Sequence, residues 1–151
     1  MNSVKNPNIL IRRLEKGDYE KGFLETVANL SIVGEVPREK FLNILEKMEE
    51  RAEYFVFVAE LEGQIVGTAT LMLQQLFAHS GGLVGHIENV VTRKGFEGQG
   101  IGTRLMERVI EESKRQGCYK MILSSDEKNA GFYKRFGFKE KEITMRLDVN
   151  E

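Results

Sequence analysis

Glycine at every second position in the stretch Gly98-Gln99-Gly100-Ile101-Gly102 could create a binding site for an anion. The stretch follows an apolar, strand-like run at 87–91 and opens a helix-like run at 101–116. Glycines leave backbone N–H groups uncovered, and the dipole at a helix N-terminus favours negative charge there. A turn that uses glycine for its positive φ is the alternative, although one glycine would serve such a turn. We therefore expect a phosphate-binding loop.

The spacing of the loop disagrees with two common phosphate-binding motifs. A P-loop has a lysine before its Ser or Thr, whereas Thr103 follows Gly102 directly. A dinucleotide fingerprint has Gly-x-Gly-x-x-Gly near the start of a βαβ unit, whereas this loop has Gly-x-Gly-x-Gly late in the chain. Nucleoside triphosphates and dinucleotides are therefore poor ligands for it.

Glu88 is a candidate for proton transfer because it interrupts an apolar strand, and breaks in a local pattern concentrate at functional sites. The alternative is a side chain on the solvent face of the strand, which a period of two allows. His79 and His86 could act as bases at neutral pH, but a lone histidine is more often structural. Cys118 has no base partner nearby in sequence and is expected to be a small buried residue.

Composition limits the class of protein. The 151 residues suit one domain, 1–151, and a hydrophobic content of 41% is enough for a core. A net charge of −1 argues against a nucleic-acid surface. The single cysteine excludes an internal disulfide and a cysteine-rich zinc site, and we expect no metal. No apolar run reaches the length of a signal or a membrane span, so we expect a cytoplasmic protein without a membrane partner.

Hydrophobic periodicity and turn residues predict ten elements around this loop. Strands are expected near residues 9–11, 54–60, 64–73, 83–92, 119–123 and 138–147. Helices are expected at 19–30 with Asp18 as N-cap, after Pro37, at 101–116 and at 129–136. The order β-α-α-β-β-β-α-β-α-β is an α+β layout with a mixed central sheet flanked by helices.

The loop resembles the acetyl-CoA pyrophosphate loop of the GNAT family of N-acetyltransferases, Gln/Arg-x-x-Gly-x-Gly/Ala after a strand. Glu97 stands where the family usually has Arg or Gln, and a carboxylate there should weaken phosphate binding unless it points outward. Further stretches resemble the glucosamine-6-phosphate N-acetyltransferase subfamily: Arg12-Arg13 with Gly17-Asp18, 30–34, 85–91, 117–120, 126–129 and 131–138. The element order is also that of the family.

The resemblance implies a GNAT fold with splayed strands at an acetyl-CoA site. It assigns the pantetheine arm to Val90, Val91 and Thr92, the pyrophosphate to Gly98, Gln99, Gly100, Ile101, Gly102 and Thr103, and the far side of the cofactor to Asn129, Phe132 and Tyr133. It also makes Tyr133 the acid that protonates the leaving thiolate, whereas spacing alone equally suits a packed tyrosine. Glu88 would be the base, acting directly or through water, for direct acetyl transfer.

The same resemblance implies an amino sugar phosphate, glucosamine 6-phosphate, as the acceptor. The candidate substrate residues are Ser31, His79, Glu88, Asn89, Ser124 and Arg146. Four positions depart from the subfamily pattern: Leu76, Asn89, Ser124 and Asp148. Another small amine, a protein amine, or a CoA-binding module without turnover therefore remain alternatives. The subfamily also implies a homodimer formed through the C-terminal region, with which the alternating Ile143, Met145 and Leu147 are compatible.

Overall fold

The computed structural model of the chain describes residues 6–150, and a five-stranded mixed sheet lies at its centre. The strands follow the order β1-β2-β3-β4-β5 across the sheet. Their bounds are Ile9–Arg13 (β1), Tyr54–Leu61 (β2), Gln64–Gln75 (β3), Leu83–Thr92 (β4) and Cys118–Ile122 (β5). The first four strands run antiparallel to their neighbours, and β5 runs parallel to β4. The predicted mixed α+β sheet is therefore confirmed.

Five helical segments accompany the sheet: α1 (Phe23–Val27), α2 (Arg38–Glu49), the short turn α3 (Ala78–Gly81), α4 (Ile101–Arg115) and α5 (Glu127–Lys134). The main helix, α4, is amphipathic, and its Leu105, Met106 and Val109 are fully buried against Phe57 and Leu71 of the sheet. Burial of this apolar stripe holds the helix, and therefore its N-terminus, at a defined place on the sheet.

A glycine in β3 lets the start of α4 approach the sheet closely. A Cβ atom added at Gly67 would lie 2.6 Å from Ile101 Cγ2 and 3.0 Å from Leu105 Cδ1. Any larger side chain would push the first turn of α4 outward, because packed interiors leave no spare volume. Gly67 thus helps to position the glycine loop that precedes the helix.

Strand β4 continues beyond the end of its pairing with β5. Their pairing runs from Leu83 opposite Cys118 to His86 opposite Ile122 and ends there. On the other side of β4, Val91 faces Thr68 and Glu88 faces Thr70, so one strand carries an extra residue between these pairs. Asn89 lies in this bulge with φ at +53°, a conformation that non-glycine residues rarely adopt. The expected splayed strands are present.

The predicted helix at 19–30 is wrong in its extent. A 3₁₀ turn occupies Lys16–Tyr19, and α1 begins only after Gly22, whose φ of +88° breaks the run. Asp18 is not the cap of α1. Its buried carboxylate instead accepts hydrogen bonds from Arg12 at 2.7 and 2.9 Å and from the Glu15 N–H. A buried carboxylate needs such partners more than a helix end needs a cap.

The predicted last strand, 138–147, is also wrong, because the structure has no strand in this part of the chain. We call residues 138–150 the C-terminal segment. Its Ile143, Met145 and Leu147 are 85%, 86% and 84% exposed. Alternation supplies a strand-like face, but a strand forms only where a neighbour satisfies its backbone groups. Between residues 6 and 150 no strand pairs with this segment.

Candidate active site

A cleft of about 410 Å³ lies where β4 and β5 separate, between the start of α4 and helix α5. The predicted cofactor residues surround it, with Val90, Val91 and Thr92 from β4, Gly98, Gly100, Ile101, Gly102 and Thr103 from the loop and α4, and Asn129, Phe132 and Tyr133 from α5. Gln99 does not line this cleft, and its side-chain oxygen lies 3.4 Å from Asn6 Nδ2. The cleft therefore brings together predicted residues that are as much as 43 positions apart in the sequence (Val90 to Tyr133).

Backbone conformation explains two of the three loop glycines, and packing explains the third. Gly98 and Gly100 have φ of +80° and +78°, in the left-handed region that favours glycine. Gly102 lies inside α4, where a Cβ atom would stand 3.3 Å from Phe132 Cζ. The turn and the phosphate-binding interpretations are thus compatible, because the same conformation makes the turn and exposes the backbone.

The N-terminus of α4 opens on the cleft. Gly100 is the N-cap, and the Arg104 N–H donates to its carbonyl at 3.0 Å. The N–H groups of Ile101, Gly102 and Thr103 precede that bond and have no partner within the helix. All three residues line the cleft, where uncovered N–H donors and the helix dipole together favour an anionic ligand.

Glu97 is occupied by its own loop. Its carboxylate accepts a hydrogen bond from the Gly95 N–H at 2.7 Å. The residue still lines the cleft, so its negative charge stays close to the expected phosphate site. The hydrogen bond thus holds the carboxylate against its own turn.

The last residues of β4 offer backbone groups to a ligand. Thr92 and Val91 pair with Gly67 and Thr68 of β3 on one side. Beyond His86 the pairing with β5 has ended, so the opposite edge of β4 faces the cleft. Buried backbone groups require partners, and an extended amide-containing chain could supply them there.

Tyr133 lies on the α5 wall of the cleft with its ring packed edge-on against Phe132 and Phe138, at centroid distances of 5.1 and 6.4 Å. Burial raises the pKa of the phenol above its ordinary value, and the nearby charge of Asp126 raises it further. A raised pKa keeps the proton on the oxygen at neutral and mildly alkaline pH. The side chain can therefore serve as a proton donor.

Glu88 lies on β4 immediately before the bulge, opposite Thr70. Its side chain is exposed, whereas that of the preceding Ile87 is 3% exposed, as alternation along a strand requires. Asn89 is exposed beside it. Glu88 thus stands on the open face of the strand, two residues before Val90, which lines the cleft. A carboxylate in this place is accessible to a basic ligand.

The other predicted substrate residues lie on separate loops. Ser31 is exposed between α1 and α2, and His79 stacks on the ring of Tyr119 at 4.3 Å between centroids. Ser124 Oγ lies 2.8 Å from Thr144 Oγ1 of the C-terminal segment. Arg146 donates to Asp148 at 2.8 Å and is highly exposed. The structure does not bring Arg146 to the lining of the cleft.

Phe96, Glu97 and Arg135 line the cleft although we did not predict them as cofactor residues. Helical spacing was a usable signal for Arg135, which follows Phe132 by three positions and therefore shares its side of α5. Phe96 had no local signal, because its position depends on the turn that Gly95 and Gly98 make.

No group of His, Cys, Asp or Glu side chains in the described part of the chain is arranged to hold a metal ion. In the same part of the chain, no helix combines the length and apolarity that crossing a membrane requires.

Comparison with known proteins is consistent with this geometry. The model of the acetyltransferase (GNAT) family matches residues 12–138. The glucosamine 6-phosphate N-acetyltransferase of Trypanosoma brucei brucei is 39% identical over 141 residues, covering 92% of this chain and 95% of that protein. The Arabidopsis thaliana enzyme of the same name is 34% identical over 138 residues, covering 89% of this chain and 93% of that protein.

Solved structures resemble the fold closely. The crystal structure of glucosamine-6-phosphate N-acetyltransferase from Arabidopsis thaliana superposes with a TM-score of 0.92 at 33% identity, over 94% of this chain and 99% of that one. An acetyltransferase of Trypanosoma brucei gives a TM-score of 0.87 at 38% identity, over 93% of this chain and 99% of that one. The fold prediction is therefore confirmed over nearly the whole chain.

Proposed function

The chain belongs to the GNAT acetyltransferase family, and from this premise we propose that it transfers the acetyl group of acetyl-CoA to the amine of glucosamine 6-phosphate. We take residues 1–151 as one catalytic domain that acts in the cytoplasm, a reducing setting that suits its single free cysteine, Cys118. The observation that carries the proposal is that one cleft combines a helix N-terminus, a strand edge without a partner and a tyrosine whose raised pKa keeps it protonated.

We expect acetyl-CoA to lie in this cleft in one direction. Its pyrophosphate would bind the N–H groups at Gly98–Thr103, since anions are stabilised at helix N-termini. Its pantetheine arm would extend along Val90–Thr92 and use the backbone groups of the unpaired edge. Asn129 and Phe132 would close the far side, which leaves the thioester near Tyr133.

The chemistry requires three proton transfers around one exchange of bonds. Glu88, directly or through a water molecule, accepts a proton from the ammonium group and leaves a neutral amine. The amine nitrogen forms a bond to the acetyl carbon, and the bond from that carbon to sulfur breaks. Tyr133 donates its proton to the departing thiolate, a role for which a buried, protonated phenol is suited. The new amide nitrogen then gives up its excess proton, which returns to the Tyr133 oxygen, so that a neutral amide and a free thiol are the products.

The names of the relatives support glucosamine 6-phosphate as the acceptor, whereas the residues at four positions argue against it. Leu76, Asn89, Ser124 and Asp148 replace the side chains that the subfamily pattern leads us to expect. The ion pair of Arg146 with Asp148 also leaves this arginine partly neutralised. These observations favour, as the second candidate, a GNAT enzyme that acetylates another small amine or a protein amine.

We expect glucosamine 6-phosphate to be acetylated at least 10-fold more efficiently than glucosamine, measured as kcat/KM from thiol release. Each charge-assisted hydrogen bond to the phosphate contributes about 1.5–3 kcal/mol, so even one such contact gives this ratio. Equal rates for the two sugars, or reaction with a different amine alone, would instead support the second candidate.

Two variants in the C-terminal segment test whether Arg146 binds the phosphate of the sugar. Arg146→Ala should raise KM for the sugar phosphate and change kcat little, because the side chain is proposed to bind substrate only. Lys141→Ala removes a positive charge from the same segment and serves as the control. An unchanged KM in Arg146→Ala would remove this arginine from the phosphate site.

We further propose that the protein is a homodimer formed through the C-terminal segment. Ile143, Met145, Leu147 and Val149 are at least 80% exposed and alternate along the chain, so they present one apolar face. The contact between Ser124 and Thr144 places the segment beside the end of β5. A second copy that pairs with this segment would cover the apolar face and bring Ser124 close to the interface.

Light scattering should therefore report twice the mass of one chain at micromolar concentration. Replacing Ile143, Met145 and Leu147 together by serine should give monomers, since the apolar face is then lost. Ile32→Ser is a matched control, because Ile32 is 97% exposed but lies between α1 and α2. A monomeric unmodified protein would refute the proposal.

A further inference from the structure

The charges that line the cleft are few. Among the residues that the structure describes, the lining includes one cationic side chain, Arg135, and one carboxylate, Glu97. The N–H groups at the start of α4 contribute dipoles and hydrogen bonds but no net charge. A ligand that carries several negative phosphate charges would therefore be near a single positively charged side chain in this lining.

Arg135 occupies a defined position on the α5 wall. It is the C-cap of α5, three residues after Phe132, and its Cζ atom lies 5.8 Å from the centroid of the Phe132 ring. The Phe132 ring in turn contacts the first turn of α4, where a Cβ atom on Gly102 would be 3.3 Å away. The ring thus lies between the guanidinium group and the helix start.

The glycine loop itself supplies no cation. Glu97 stands at the position where the family pattern has Arg or Gln, and its carboxylate is bound to the Gly95 N–H. Phosphate binding in proteins is strengthened by charge-assisted hydrogen bonds, and a planar guanidinium can make two of them in parallel. A cation from another element could therefore complete the site.

We propose that Arg135 binds a phosphate group of acetyl-CoA and supplies from α5 the positive charge that the loop lacks at Glu97. This inference rests on the proposed use of acetyl-CoA. The cation–π contact with the Phe132 ring, at 5.8 Å from Cζ to the ring centroid, limits the freedom of the Arg135 side chain, so that less of it is lost when the phosphate binds. Arg135 is thus a binding residue for the cosubstrate and takes no part in proton transfer.

Calorimetric titration with acetyl-CoA tests the proposal without depending on the acceptor. Arg135→Gln should weaken binding about 10- to 100-fold, the range expected for a charge-assisted contact. Lys134→Gln is the matched control, since Lys134 precedes Arg135, pairs with Glu140 at 2.9 Å and is absent from the cleft lining. Its affinity should stay within about 2-fold of the unmodified protein. Arg135→Lys should recover part of the loss.

A second titration, with 3′-dephospho-CoA, identifies the phosphate. A loss in Arg135→Gln that persists with this ligand indicates the pyrophosphate, and a loss that disappears indicates the 3′-phosphate; either result supports the proposal. Equal affinities of Arg135→Gln and Lys134→Gln overturn it, as does a loss that Arg135→Lys leaves unchanged, which would indicate packing on Phe132. If the unmodified protein binds no acetyl-CoA, the proposed function fails together with this inference.

Discussion

Gly100→Leu is expected to abolish measurable binding of acetyl-CoA. Gly100 is the N-cap of α4 and lines the cleft, so a leucine side chain there would cover the N–H groups that are proposed to bind the pyrophosphate. Its φ of +78° adds strain of about 1–2 kcal/mol for a residue with a Cβ atom. Calorimetric titration with acetyl-CoA measures the effect directly.

Gly117→Leu is the control for Gly100→Leu, because it introduces the same backbone strain without covering the proposed binding site. Gly117 follows the opposite end of α4, has φ of +84°, and a Cβ atom added there would have no neighbour within 4 Å. Both variants should lose similar stability in thermal unfolding, because both place leucine in the left-handed region. Only Gly100→Leu should lose acetyl-CoA. If the two variants bind it equally well, the pyrophosphate lies elsewhere.

The glycine loop and the central strands could be predicted because their signals are local. The predicted strand at 83–92 matches β4 residue for residue, since its apolar residues end at a polar turn. The Glu62-Gly63 turn between β2 and β3 was equally visible, and both residues adopt positive φ there. Most residues that line the cleft could be named from the sequence for the same reason, because they lie in or next to these elements.

Features that depend on distant contacts could not be predicted in the same way. The bulge at Asn89 is a property of the pairing between β3 and β4, and nothing in the local sequence requires it. Asp18 resembles a helix cap, yet its carboxylate is buried and pairs with Arg12, which belongs to β1. The alternating residues 143–147 indicate a strand, but the neighbour that a strand needs is absent from the described part of this chain.

The structure also changes how the acidic residue of the loop is interpreted. From the sequence, Glu97 is a residue that should oppose phosphate binding. In the structure its carboxylate stabilises the turn through the Gly95 N–H, while Arg135 reaches the same cleft from α5. The cation that we propose to compensate for Glu97 is 38 positions away in the sequence (Glu97 to Arg135), so inspection of the loop alone would not identify it.

Tyr133→Phe is expected to lower turnover by about 10²–10⁴-fold, the usual contribution of one general acid. Affinity for acetyl-CoA should stay nearly unchanged, because the ring keeps its contacts with Phe132 and Phe138. Tyr119→Phe removes a phenol from β5, outside the cleft lining, and should retain full activity. Full turnover in Tyr133→Phe would assign this residue to packing alone.

The pH dependence of the reaction distinguishes the acid from the base. The acid must carry its proton, and because burial raises the pKa of Tyr133, activity should fall only above the ordinary pKa of a phenol. That alkaline decline should be missing from the residual activity of Tyr133→Phe. Glu88→Gln should instead raise the pH at which activity first develops, because the amine then loses its proton without help from a carboxylate. If the pH profile of Tyr133→Phe keeps the alkaline decline and that of Glu88→Gln is not shifted, neither residue takes part in proton transfer. The cleft would then only position the two substrates.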